Sequence, residues 1–172
     1  GAIKEYSYMN QASLQEIDLY KGLESTLTIL GYRLKKGVTV RRDYDSNLPR
    51  ICAYGGELNQ IWTNLMDNAI DAMGGHGELR IRTRLNLDRV LVEIGDNGPG
   101  IPPEIQPRIF DPFFTTKGVG KGTGLGLDTA CRIARKHHGD IRVVSKPGDT
   151  RFIVDLPVKQ PHAQPQQKEE EG

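Results

Sequence analysis

The chain has 172 residues, 37% of them hydrophobic and 26% charged, with a formal net charge of +1. That length suits one domain with a sizeable core, and the balanced charge excludes the basic footprint of a nucleic-acid binder. No apolar run approaches the roughly 18 residues that cross a membrane, and no signal peptide is visible.

Cys52 and Cys131 have no C-x-x-C spacing, so both read as reduced packing residues of a cytoplasmic protein. Ile3 to Met9 reads as the end of a helix arriving from an upstream region, and Leu14 to Leu19 as a weak strand. Leu23, Leu27, Leu30 and Leu34 recur at helical spacing, which predicts one amphipathic helix to about Lys36 with Gly37 as its stop. Val38 to Tyr44 is a β-branched strand closed by Pro49, and Tyr54-Gly55-Gly56 precedes a long helix from Glu57 to about Met73. Two strands follow, Glu78 to Leu87 and Arg89 to Ile94, then a Pro-rich segment and the glycine string 117–127. A helix from about Gly124 to His137 leads into two last strands, Asp140 to Ser145 and Arg151 to Leu156, around a Pro147-Gly148 turn. From Lys159 the Gln-, Pro- and Glu-rich tail reads as disordered. Elements mixed in this order predict an α+β sandwich, a mixed sheet against helices.

Two stretches carry chemistry. Asp96-Asn97-Gly98-Pro99-Gly100 follows the apolar strand Val90–Ile94, so one carboxylate stands at a strand end among residues without a Cβ. The glycine string ends where a helix begins, and a helix N-terminus offers unpaired N–H groups and a positive dipole end to phosphate. On the long helix, Leu58, Ile61, Trp62, Leu65, Ala69 and Ala72 share one arc, with Glu57, Gln60, Asn64, Asn68 and Asp71 in a stripe beside it. A solvated face is the plain explanation of such a stripe. Against it, Asn is a poor helix former, and amide oxygens suit a hard cation such as Mg²⁺.

Asn64-Leu65-Met66-Asp67-Asn68-Ala69, Asp96-x-Gly-x-Gly, Phe110-Asp111-Pro112-Phe113-Phe114 and Gly122-Thr123-Gly124-Leu125-Gly126-Leu127 occur in series. Together they resemble the N, G1, F and G2 boxes of the catalytic, ATP-binding domain of two-component sensor histidine kinases. That domain belongs to the gyrase, Hsp90, histidine kinase and MutL superfamily of ATPases. The resemblance implies a two-layer sandwich with a flexible ATP lid over residues 13–158. Residues 1–12 would then end an upstream linker or dimerisation helix, with the tail at 159–172. It also implies ATP and Mg²⁺ as ligands. The string itself is neither a P-loop nor a Gly-x-Gly-x-x-Gly fingerprint.

By that resemblance Asp96 accepts a hydrogen bond from the adenine amine, where its local sequence alone allows a simple turn cap. Gly98 and Gly100 would let the backbone lie against the base, with Ile101 beside them. Thr150 would join the adenine network, or be an ordinary strand residue. Asn68 matches the Mg²⁺ ligand and Asn64 faces the same pocket. Hydrolytic relatives carry a general-base Glu there, and an amide takes no proton, so rapid hydrolysis is disfavoured. Asp71 stands where many sensor kinases have a basic phosphate contact, a departure that leaves it to hold a water or an Arg. Phe110, Phe113 and Phe114 would anchor the lid, although aromatic packing alone explains such a cluster. Lys117 and Lys121 would reach the phosphates, or stay solvated. Gly118, Gly120, Gly122, Thr123, Gly124, Leu125, Gly126 and Leu127 would supply the hinge and the phosphate cradle.

A histidine kinase also needs an acceptor His on a dimerisation domain. His76, His137, His138 and His162 lack that context and read as surface residues. The chain is therefore read as a catalytic domain whose partners are ATP, the His-containing domain of the same parent and a response regulator, with no contact to nucleic acid or membrane. The alternatives are an ATP switch that only changes a partner interface, a Ser kinase of the same fold, and a self-contained ATPase.

Overall fold

The computed structural model describes residues 13–114 and 126–160. Five strands form the main sheet: β2 (Val38–Asp43), β4 (Gly77–Asn86), β5 (Arg89–Asp96), β7 (Asp149–Pro157) and β6 (Asp140–Lys146), in that spatial order. β2 runs parallel to β4, and the other pairs are antiparallel. The period-2 pattern sets the faces. Leu79, Ile81 and Thr83 of β4 are buried with Val90, Val92 and Ile94 of β5 and Phe152, Val154 and Leu156 of β7.

Against this face lie α1 (Leu19–Ile29), α2 (Gly31–Leu34), α3 (Gly55–Ala72) and α4 (Gly126–Lys136). The α+β sandwich expected from the sequence is thus the observed architecture. α3 is the central helix, with Leu58, Ile61, Trp62, Leu65, Met66, Ala69 and Ile70 all buried. Its apolar arc is wider than its spacing suggested. Met66 and Ile70 join the core, whereas Ala72 is exposed at the last turn.

The predicted single helix over Leu23–Lys36 divides in two. α1 starts earlier, where the Asp18 side chain accepts a hydrogen bond from Tyr20 N, and the chain turns at Leu30 before α2. Gly31, with its low helix propensity, permits the break. Thr26 and Thr28 also hydrogen-bond back to the carbonyls of Gly22 and Glu24, a habit that bends helices. A short strand absent from the expectations, β3 (Ile51–Ala53), pairs antiparallel with β1 (Gln15–Ile17). Three residues are too few for their alternation to show.

His137 is not the surface residue expected. It is buried at the end of α4, where Nε2 accepts from Tyr54 N at 3.1 Å and Nδ1 donates to Ile133 O at 2.9 Å. Gln160 is buried as well and donates to His137 O, so packing continues two residues past the expected boundary at 158. Residues 161–172 and 1–12 lie outside the described residues. Cys52 and Cys131 are both free thiols.

Between α4 and β6, Gly139 presses on β7 so closely that a Cβ would run into the Asp155 carbonyl oxygen. Backbone cannot swing aside as a side-chain tip can. Gly139→Ala should therefore destabilise the domain by about 1–3 kcal/mol, read as a lower urea midpoint at unchanged slope.

Candidate nucleotide-binding site

β5 ends on Asp96, whose inward position in the strand leaves it 1% exposed. One carboxylate oxygen, Oδ1, accepts from Gly98 N at 2.9 Å. The other, Oδ2, is buried without a hydrogen-bond partner among the described residues. Burial pushes the carboxyl above its ordinary range, and the Gly98 N–H and the Arg80 guanidinium pull the other way. A buried carboxylate with an unused acceptor is costly to keep, and it is suited to a ligand that brings an N–H donor.

The neighbouring strand supplies the rest of this wall. Thr150 of β7 stands opposite Asp96 in register and is 3% exposed. Its hydroxyl lies 2.6 Å from Ser145 Oγ, which also accepts from Ile101 N at 2.8 Å. The sequence reading missed Ser145. The serine sits directly across the tight β6–β7 hairpin from Thr150, and that pairing was the available signal.

Gly98 and Gly100 also lie close against this chain's own backbone. A Cβ on Gly98 would stand 3.0 Å from Ala72 O, at the end of α3. Gly100 has φ +91°, and a Cβ there would meet the Lys146 backbone at 2.8 Å. The β6–β7 turn is bonded to the same loop through Gly148 N and Gly98 O at 2.8 Å. The glycines thus seat the Asp96 loop between two pieces of this chain's own backbone.

The polar stripe of α3 divides by partner. Asn64 accepts from Gln60 and donates to Gly126 O at 2.9 Å, which holds the first residue of α4 against the middle of α3. At the far ends of the two helices Glu57 pairs with Lys136 at 2.7 Å, so the N-terminus of α4, with Gly126 and Leu127, lies beside the amides. Asn68 is half-buried, and its side chain makes no hydrogen bond among the described residues. Asp71 binds the Arg33 guanidinium of α2 at 2.6 Å, the Arg alternative of the sequence reading.

Of the three aromatics expected to anchor the lid, Phe110 packs edge-on against Phe152 and Phe114 lies under the Arg108 guanidinium. Phe113, with φ +69°, is 72% exposed. Lys117, Gly118, Gly120, Lys121, Gly122, Thr123, Gly124 and Leu125 lie outside the described residues. On the opposite face of the sheet a hollow of about 360 Å³ opens between Arg82, Arg84, Leu91, Arg142 and Ile153. It is remote from Asp96, and its arginines partly pair with Asp43, so Asp96 rather than this hollow marks the site. No described helix is long and apolar enough to cross a membrane.

Comparison with known proteins agrees with this geometry. Residues 55–160 match the family described as Histidine kinase-, DNA gyrase B-, and HSP90-like ATPase. The sensory histidine kinase/phosphatase NtrB of Escherichia coli O157:H7 is 35% identical over 152 residues, covering 82% of this chain and 43% of that protein. The chain thus spans less than half the length of this curated relative. The nucleotide-free catalytic domain of histidine kinase ThkA superposes with a TM-score of 0.80 at 29% identity, over 87% of this chain and 98% of that one. Full-length ShkA in complex with AMPPNP gives 0.76 at 29% identity, over 85% of this chain and 31% of that one. The chain belongs to the histidine kinase-, DNA gyrase B- and HSP90-like ATPase family, as a homologue of the ATP-binding catalytic domains of sensor histidine kinases.

Proposed function

We propose that this domain binds ATP with adenine on Asp96 and offers the γ-phosphoryl to a histidine on a separate dimerisation domain of its parent protein. The observation that carries the reading is the unpaired Oδ2 of Asp96. The exocyclic amine of adenine is a donor that would satisfy it, whereas the carbonyl at the same place in guanine would not. Thr150 and Ser145 stand beside it as further polar partners. ShkA, which shares the fold, is known with an adenine nucleotide analogue bound.

The residues present also fit a hard divalent cation. Asn68 has an amide with no protein partner among the described residues, and Mg²⁺ takes few protein oxygens while sharing the rest of its shell with phosphate. Bound there, the ion would neutralise developing phosphate charge. Asn64 keeps the start of α4 on α3, so the helix N-terminus would face the phosphates. Neither amide removes a proton, so water is not activated and phosphoryl transfer waits for an acceptor that brings its own nucleophile.

That acceptor is not found in the described part of this chain. His137 is buried with both ring nitrogens engaged, and His76 and His138 lie in turns at helix ends. A response regulator would then take the phosphoryl group from the parent, as the complex of ThkA with response regulator protein TrrA suggests by analogy. With radiolabelled ATP, the parent protein should form an acid-labile phosphohistidine. The fragment alone should release phosphate very slowly. Nucleotide binding without label in the parent would favour the switch alternative.

Asp96→Asn puts an amide where the carboxylate accepts. The loss of a charge-assisted hydrogen bond, about 1.5–3 kcal/mol, should weaken ATP and adenosine alike, roughly tenfold to a hundredfold by calorimetry. The wild-type domain should also lose adenosine affinity as pH falls through the raised Asp96 pKa. Protonation removes the acceptor, so binding near that pH releases protons, and titrations in buffers of different ionisation heat would measure them. For Asn68→Ala, affinity measured with Mg²⁺ should drop while affinity in a chelator changes little.

A further inference from the structure

α3 faces the proposed phosphate region without a single Lys or Arg in its sequence, and its stripe carries Asp71 beside Asn64 and Asn68. A triphosphate approaching that edge meets a carboxylate where sequence resemblance leads one to expect a cation. Part of the compensating charge comes from another element, one guanidinium against two carboxylates. Arg33, on the one-turn α2, donates from Nη2 to Asp71 Oδ1 at 2.6 Å and from Nη1 to Asp67 Oδ1 at 2.7 Å. The two acids are four residues apart, so they share one face of α3, and the guanidinium lies across it.

This clamp leaves Arg33 equipped for a further partner. A guanidinium has five N–H donors, and two are engaged here. Its side chain is 27% exposed, so it is neither sealed in the core nor loose in water. Both carboxylates favour its charged form, and it remains a cation at any working pH. Removing it would take away the guanidinium that bridges the two carboxylates on the edge of α3.

We infer that Arg33 is a phosphate-positioning residue, held by Asp67 and Asp71 beside the amide stripe so that α2 supplies the positive charge that position 71 lacks. The inference rests on the nucleotide reading above and goes beyond it by dividing the labour. Asp96 reads the base, and Arg33 makes the site tolerate phosphate. A clamp that only bolts α2 to α3 would have no such dependence on phosphate.

The test compares adenosine with ATP in the full chain, by calorimetry with Mg²⁺ and again in a chelator, with thermal melting as the control for folding. Arg33→Ala should lower ATP affinity tenfold or more, and leave adenosine within about twofold. Arg33→Lys keeps the charge but not the fork, and should recover part of the loss. Asp71→Asn, which releases Arg33 from one carboxylate, should hold or improve ATP affinity. Equal losses for adenosine and ATP, or none for ATP, would overturn the inference and leave the clamp purely structural. So would an ATP loss in Asp71→Asn that appears only with Mg²⁺, because Asp71 would then be a metal ligand. If the Ala variant fails to fold, the Lys variant decides, since it must still lose more ATP than adenosine affinity. A wild-type chain that binds neither compound would defeat the nucleotide reading itself.

Discussion

The buried carboxylate at the end of β5 carries a desolvation cost that the rest of the site is built around. An ionised oxygen without a partner in the interior costs several kcal/mol relative to water, and a chain under no functional demand has every chemical reason to place an apolar side chain there. What keeps Asp96 in place is the sheet. Ile94 faces Phe152, and Asp96 faces Thr150 on the same strand pair. A register slip that exposed the carboxylate would also expose the whole inward row. Arg80 lowers the cost from outside, reaching the Asp96 carbonyl and the Asp149 carboxylate at 3.3 Å each.

The same core also fixes the other wall. α3 is packed on the sheet through Leu58, Ile61, Leu65 and Ala69, and its polar stripe stands at the rim of that contact. Its C-terminal end touches Gly98 directly, so the Asp96 loop and the amides cannot move independently over large distances. A site for a molecule with an apolar, hydrogen-bonding base and a charged tail needs two unlike walls at a constant spacing. Here the spacing is set by the packing of one helix on one sheet, and interiors packed at this density deform little.

Much of this was legible in the sequence because it is written in periods. The apolar run of β5 and the 3.6-residue spacing of α3 put Asp96, Asn64 and Asn68 near their observed places, whereas Thr150 was singled out only by the family resemblance. What was not legible depends on long-range contacts. Arg33 reads as a basic residue near the end of the single predicted helix until α2 brings it to Asp67 and Asp71, 34 and 38 residues away. His137 reads as a polar residue at a helix end, and only the return of Tyr54 and Gln160 buries it. For Gly98 and Gly100 the resemblance points to the ligand, and only the fold adds the close contacts with the chain's own backbone at Ala72 and Lys146. β3 escaped because a strand of three residues has no period to detect.

The edge of α3 shows how the helix can be acidic and still face an anion. Glu57 is answered by Lys136 of α4, and Asp67 and Asp71 by Arg33 of α2. Gln60 and Asn64 are linked to each other, and Asn64 continues to the Gly126 carbonyl. Along this stripe Asn68 alone makes no hydrogen bond among the described residues, and Asp96 Oδ2 is the matching vacancy on the strand side. Glu57 Oε1, Arg80 Nε and Arg151 Nε are also buried without a hydrogen-bond partner among the described residues, but only Asp96 Oδ2 stands at the end of β5 beside the Thr150 and Ser145 hydroxyls. On the nucleotide reading proposed above, a base donor would satisfy that carboxylate and a cation the Asn68 amide.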